Sequence, residues 1–167
     1  MHPRSRRAAQ LVAGGARRSG ALRDIQLGPH PFFQYGLALA ALQRDDDRAA
    51  EDALLEEVAG YPPALPARRA LVALYADQRR YAEQLAQLDA VAAAEPPAVD
   101  TMHSRAQALF NLGRYDEAEA AVAACRRFDP RYAACAMLEA NVHDKLGRPE
   151  QAQRSYREAL ALRAAAR

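Results

Sequence analysis

Tryptophan is absent from the 167 residues, lysine occurs once, at Lys145, and cysteine only twice, at Cys125 and Cys135. The cysteines form no CxxC pair, have no histidines at zinc-ligand spacing, and are too few for a disulfide framework. They read as buried thiols of a protein kept in a reducing compartment, which makes the cytoplasm the expected location. No run of apolar residues reaches the length of a membrane span, and LVAGGA (11–16) is too short and glycine-rich for a signal-peptide core. Runs of β-branched and aromatic residues are missing as well, which excludes a sheet.

Motifs for chemistry are equally scarce. His2, His30, His103 and His143 are scattered, and none belongs to an HExxH pair, so no metal site is expected. GxxxxGK[ST], GxGxxG and GxSxG do not occur, and Gly14-Gly15 follows no strand. The acidic runs, Asp45 to Asp47, Glu56-Glu57 and Asp116-Glu117, fall at helix ends or solvent faces, where they favour the helix dipole or hydrate. The expectation is a protein that is not an enzyme and carries no cofactor.

What remains is a chain rich in alanine and leucine, half apolar, with a formal net charge of +2. This composition predicts an all-α fold of single-domain size. The charge is unevenly spread. Arg4, Arg6, Arg7, Arg17, Arg18 and Arg23 precede the first acid, so the rest of the chain carries four more acids than bases. Such an arm can touch nucleic acid or an anionic membrane, with the remainder serving as spacer or dimeriser. The preferred reading makes residues 1–30 a solvated tail or capping helices, with nucleic-acid binding disfavoured. The preponderance of arginine over lysine suggests a GC-rich bacterial source.

One period organises the rest. Leu112-Gly113-Arg114 returns as Leu146-Gly147-Arg148, Arg80-Tyr81 returns as Arg114-Tyr115, and Pro62, Pro96 and Pro130 are equally spaced, every offset being 34. The chain divides at this period into units 31–64, 65–98, 99–132 and 133–166. Each unit reads as a helical hairpin. In the third, the first helix is expected from an N-cap at Asp100 or Thr101 through Met102, Ala106, Leu109, Phe110 and Leu112, ending at Gly113 in the left-handed conformation. Tyr115 opens the second helix, with Ala118, Ala121, Val122 and Cys125 on its apolar face, and Pro130 follows its end. Pro31, Pro66 and Pro149 stand at first helical turns, Asp47 is the expected cap of the second helix of unit one, and Gly60 is expected to close it. Ala50, Ala118 and Ala152 form one small-residue column and Ala38, Ala106 and Ala140 another, as close helix packing requires.

This pattern resembles the tetratricopeptide repeat, whose unit reads W-x2-L-G-x2-Y, then A-x3-F, then P. The second half of the motif is well kept in Ala50-x3-Leu54, Ala118-x3-Val122 and Ala152-x3-Tyr156; the first half is degraded, with Met102, Arg105, Ala106 and Leu109 at its places in unit three. The resemblance implies a right-handed α-solenoid of about four helix-turn-helix units whose first helices line a concave groove for a peptide or partner domain. It implies a protein-interaction adaptor or scaffold. The groove positions carried across are Tyr35, Arg69, Asp77, His103, Gln107, Asn111, Asn141, Asp144 and Lys145. The cationic clamp that one subtype uses for chaperone C-termini is missing, since Arg69, Ala73, Ser104, Ala134 and Leu138 stand at its places in units two to four. No fifth unit follows the fourth, so Ala152, Tyr156, Ala159 and Leu160 are expected to leave an end face for a partner or a second copy, with Tyr156 and Leu160 as contacts.

Overall fold

The computed structural model describes residues 32–166, so the arginine arm and Pro31 lie outside the described residues. Among these residues there are eight helices: α1 (Phe33–Leu42), α2 (Asp47–Gly60), α3 (Leu65–Asp77), α4 (Tyr81–Ala94), α5 (Val99–Asn111), α6 (Tyr115–Phe128), α7 (Ala133–Lys145) and α8 (Pro149–Ala165). They pack as hairpins α1/α2, α3/α4, α5/α6 and α7/α8, and each hairpin stacks on the next through α2/α3, α4/α5 and α6/α7. The first helices α5 and α7 also pack directly against each other.

One turn is used four times. Asp45, Arg79, Gly113 and Gly147 occupy the same repeat position and all have positive φ, at 57, 58, 75 and 71°. The following residue in each case donates its amide to a carbonyl five residues back: Asp46 to Ala41, Arg80 to Tyr75, Arg114 to Leu109 and Arg148 to His143, at 2.8 to 3.1 Å. That bond is the mark of the Schellman turn. Only two of the four positions hold the glycine that such a turn favours, so the turn is imposed by packing elsewhere.

Helix starts differ from expectation in two places. Asp46, not Asp47, caps α2: the left-handed Asp45 leaves Asp46 as the first residue outside the helix, and its carboxylate accepts from Ala49 N at 3.1 Å. The N-cap of α5 is the extended Ala98 rather than Asp100 or Thr101, and Asp100 lies inside the first turn with its carboxylate bonded to the Tyr132 hydroxyl. Gly60 is the last helical residue of α2 without a left-handed backbone, because the chain leaves through Tyr61 into Pro62-Pro63. Pro66 and Pro149 do stand in first turns. The start of α1 is capped from outside. Glu57, buried on α2, accepts the amides of Phe32, Gln34 and Tyr35 at 2.6, 3.1 and 3.2 Å.

The alanine columns are buried, with Ala38, Ala50, Ala106, Ala118 and Ala140 at 0% exposure. Two apolar clusters form the interior. One joins Ala38, Leu54, Ala67, Leu71 and Tyr75 of α1 to α3, and the other joins Leu85, Leu88, Leu109, Val122, Leu138 and Val142 of α4 to α7. The cysteines depart from the sequence reading. Cys125 on α6 and Cys135 on α7, with Cα atoms 6.4 Å apart, are joined as a disulfide rather than left as separate thiols. These are position 27 of one unit and position 3 of the next, and only at this junction do both hold cysteine.

Candidate functional site

The candidate groove residues fall into local groups on α3, α5 and α7. Arg69, exposed on α3, is paired with Glu95 at the end of α4. Arg69 and Asp100 both line a cavity of about 190 Å³ between α3, α4 and α5, together with Val72, Leu88, Thr101 and Ser104. The floor is therefore apolar, and the rim carries a cation, a carboxylate and two hydroxyls.

One helical turn further along α5 sits His103, whose ring meets the Tyr132 ring edge-on with centroids 5.8 Å apart. The Tyr132 hydroxyl donates to Asp100 Oδ1 at 2.7 Å. Burial holds the His103 pKa below its ordinary 6.5, against the opposing pull of Asp100, so the imidazole is neutral at neutral pH. The hydrogen bond to Asp100, reinforced by burial, raises the Tyr132 pKa and keeps the phenol protonated. A neutral ring and a neutral phenol flanking one carboxylate suit hydrogen bonding to a peptide better than capture of a strongly charged ligand. Gln107 and Asn111 continue the row, Gln107 Nε2 donating to Asn111 Oδ1 at 3.1 Å. That contact holds both amides in fixed orientation and leaves each with spare capacity.

On α7, Asn141 and Asp144 converge on Tyr156 of α8. The Tyr156 hydroxyl donates to Asn141 Oδ1 at 2.6 Å and lies 3.0 Å from Asp144 Oδ2. Burial, with the Asp144 contact second, raises its pKa. Groove and end face, separate in the sequence reading, thus meet at this residue. The end face itself is smaller than expected: Ala152 and Ala159 are buried against α7, Tyr156 is half-buried, and Leu160 remains exposed at 59%. Asp77 and Lys145 are exposed near the ends of their helices. Tyr35 is half-buried against the first apolar cluster, as a packing residue would be.

Sequence reasoning overlooked Tyr132 and Glu95. Tyr132 occupies the last position of its unit, where the preceding units have Ala64 and Ala98, so the repeat pattern gives it no signal. Glu95 reads as a linker residue beside Pro96-Pro97, and only folding brings it to Arg69.

A repeating hairpin with a fixed left-handed turn, alanine columns at matched places and, at α5 and α7, first helices packed against each other is one architecture. The tetratricopeptide-repeat pattern matches residues 99–132 and 133–165. Those two hairpins are tetratricopeptide repeats. Among curated proteins none matches the chain. Similar solved structures include MamA MSR-1, at 22% identity over 80% of this chain and 77% of that one with a TM-score of 0.72. MamA AMB-1 is 20% identical over 96% of this chain and 85% of that one, with a TM-score of 0.73. At such identity the likeness concerns the fold alone. Tetratricopeptide arrays typically mediate protein–protein interaction and are typically non-catalytic. No helix among the described residues is long and apolar enough to cross a membrane.

Proposed function

We propose that the chain is a non-enzymatic adaptor of the cytoplasm that captures an extended segment of a partner protein along the face formed by α3, α5 and α7. The observation that carries this reading is the direct packing of α5 against α7. It sets two partly exposed rows of amides and carboxylates, Gln107 with Asn111 and Asn141 with Asp144, on neighbouring helices. An extended peptide has free backbone N–H and C=O groups at regular intervals, and side-chain amides can satisfy both kinds. The neighbouring apolar cavity, with Arg69 and Asp100 on its rim, suits one side chain of that segment. A preformed surface of this kind lowers the ordering cost of binding.

The test is capture of partners from native lysate by the full chain and by Gln107→Ala combined with Asn141→Ala. The double variant is expected to lose the captured protein while its thermal midpoint stays within a few degrees of the parent. Unchanged capture would rule out the groove.

A further inference from the structure

We infer that Cys125 and Cys135 form a reversible redox staple that holds the last repeat onto the array. Both cysteines are at 0% exposure, and their separation of 6.4 Å between Cα atoms lies within the span a disulfide allows. They sit at the seam between the third and fourth hairpins, with Cys125 on α6 and Cys135 on α7. The corresponding pairs at the earlier seams, Glu57 with Ala67 and Val91 with Thr101, cannot be cross-linked.

The location matters because α7 and α8 form the last of the described hairpins, which packs on α5 and α6 alone among the described helices, and an outer hairpin is the part of such an array that opens most readily. A covalent tie across just that seam restricts the opening. In the cytoplasm, where thiols are kept reduced, such a bond is a responsive one and not a permanent brace.

The chemistry is thiol–disulfide exchange with a small disulfide of the glutathione class. One protein thiolate attacks that disulfide, forming a mixed disulfide and expelling one small thiol. The second protein thiolate then attacks the mixed disulfide and expels the other. The protein gives up two electrons and two protons, and the small disulfide becomes two thiols. Because both sulfurs are fully buried, exchange in either direction waits for the α6–α7 seam to open. The staple therefore responds slowly and reports on the same motion that it restrains.

This inference needs no partner and stands apart from the groove reading. The full chain is equilibrated with oxidised glutathione or with dithiothreitol, then denatured and alkylated for mass measurement, while a second portion is followed by hydrogen exchange. The oxidised chain is expected to be monomeric with no alkylated cysteine. Amides of α7 and α8 are expected to exchange at least about tenfold faster after reduction. Cys125→Ala with Cys135→Ala is expected to exchange at the reduced rate whether or not reductant is present. Two alkylated cysteines after oxidation, glutathione adducts in place of the internal bond, or equal exchange of α7 and α8 in the oxidised and reduced wild-type chain would each overturn the inference.

Discussion

Arg79 holds a left-handed backbone with φ of 58° at the position where the third and fourth hairpins have glycine. A side chain there costs conformational energy that glycine avoids, so Arg79→Gly is expected to raise stability by about 0.5–1 kcal/mol in denaturant melts. Asp45 at the same place carries less strain, because a short polar side chain tolerates this region better. Glu57 is the opposite case, a buried carboxylate that accepts three amides at the start of α1. Glu57→Ala strips those amides of their acceptor and is expected to cost about 1–3 kcal/mol, with α1 losing hydrogen-exchange protection first. His103 gives a pH signature. Its folded pKa is below the ordinary 6.5, so the folded state binds its proton less readily than the unfolded chain. That contribution is complete above pH 6.5 and is lost as pH falls through the lower folded value, a slope that His103→Gln should remove from pH-dependent melts.

Between elements, the three seams use one geometry with different chemistry. At the first seam Glu51 of α2 meets Arg80 at 2.6 Å and the Tyr75 hydroxyl at 3.1 Å, with the Arg80 guanidinium over the Tyr75 ring. At the third, two repeats later, Glu119 meets Arg148 at 2.5 Å and His143 at 3.6 Å. The middle seam has Leu85 and Leu109 at these places, and its Arg114 turns back to Glu117. The hydrogen bond from Arg80 lowers the Glu51 pKa from the ordinary 4.5, and burial pushes Tyr75 from 10.0 up to about 12. The Glu51 contribution is present above pH 4.5 and lost as pH falls through its lower folded value; the Tyr75 contribution is present below pH 10 and lost as pH climbs towards 12. Tyr75→Phe is expected to flatten the alkaline limb of the stability profile.

The same seams explain an apolar cavity of about 260 Å³ between α4, α5 and α6. Its counterparts are filled by Arg68, which donates to Pro62 O and Gln87, and by Arg126, which donates to Pro130 O and Glu158. The middle seam has Met102 and Ala92 in place of those arginines, and Ala121 and Ala124 in place of their partners. Ala92→Arg with Ala124→Glu should rebuild the bridge and raise stability by about 0.5–1.5 kcal/mol in thermal melts. Where no such space exists the reverse holds: Ala106→Leu, on a column at 0% exposure, should cost about 1–3 kcal/mol by forcing α5 from its neighbours.

Over the whole array, the two apolar clusters meet inside the second hairpin, with α3 in one and α4 in the other. Leu109 lies at the centre of the second cluster, at 1% exposure. Leu109→Ala is expected to cost about 2–5 kcal/mol, and hydrogen exchange should show α5 to α8 opening while α1 to α3 keep their protection. Uniform loss across all helices would show instead that the hairpins unfold as one unit.

Hairpin number, the turn at Gly113 and Gly147, and the buried columns of alanine were legible in the sequence, because each is a local preference repeated at one spacing. Periodicity averages over neighbours and makes such preferences visible. The caps at Asp46 and Ala98 were not, since they depend on where the preceding turn ends and on what a carboxylate finds across space. Contacts between residues far apart in the chain also escaped it: Glu57 on the start of α1, Tyr156 between Asn141 and Asp144, Tyr132 on Asp100. Even the pairing of Cys125 with Cys135 depended on how α7 settles on α6, because two thiols ten residues apart carry no instruction to meet. The sequence by itself determined a stack of helical hairpins; which side chains face one another across the seams was decided by tertiary packing, where the angle between helices selects a few contacts from many that the repeat permits.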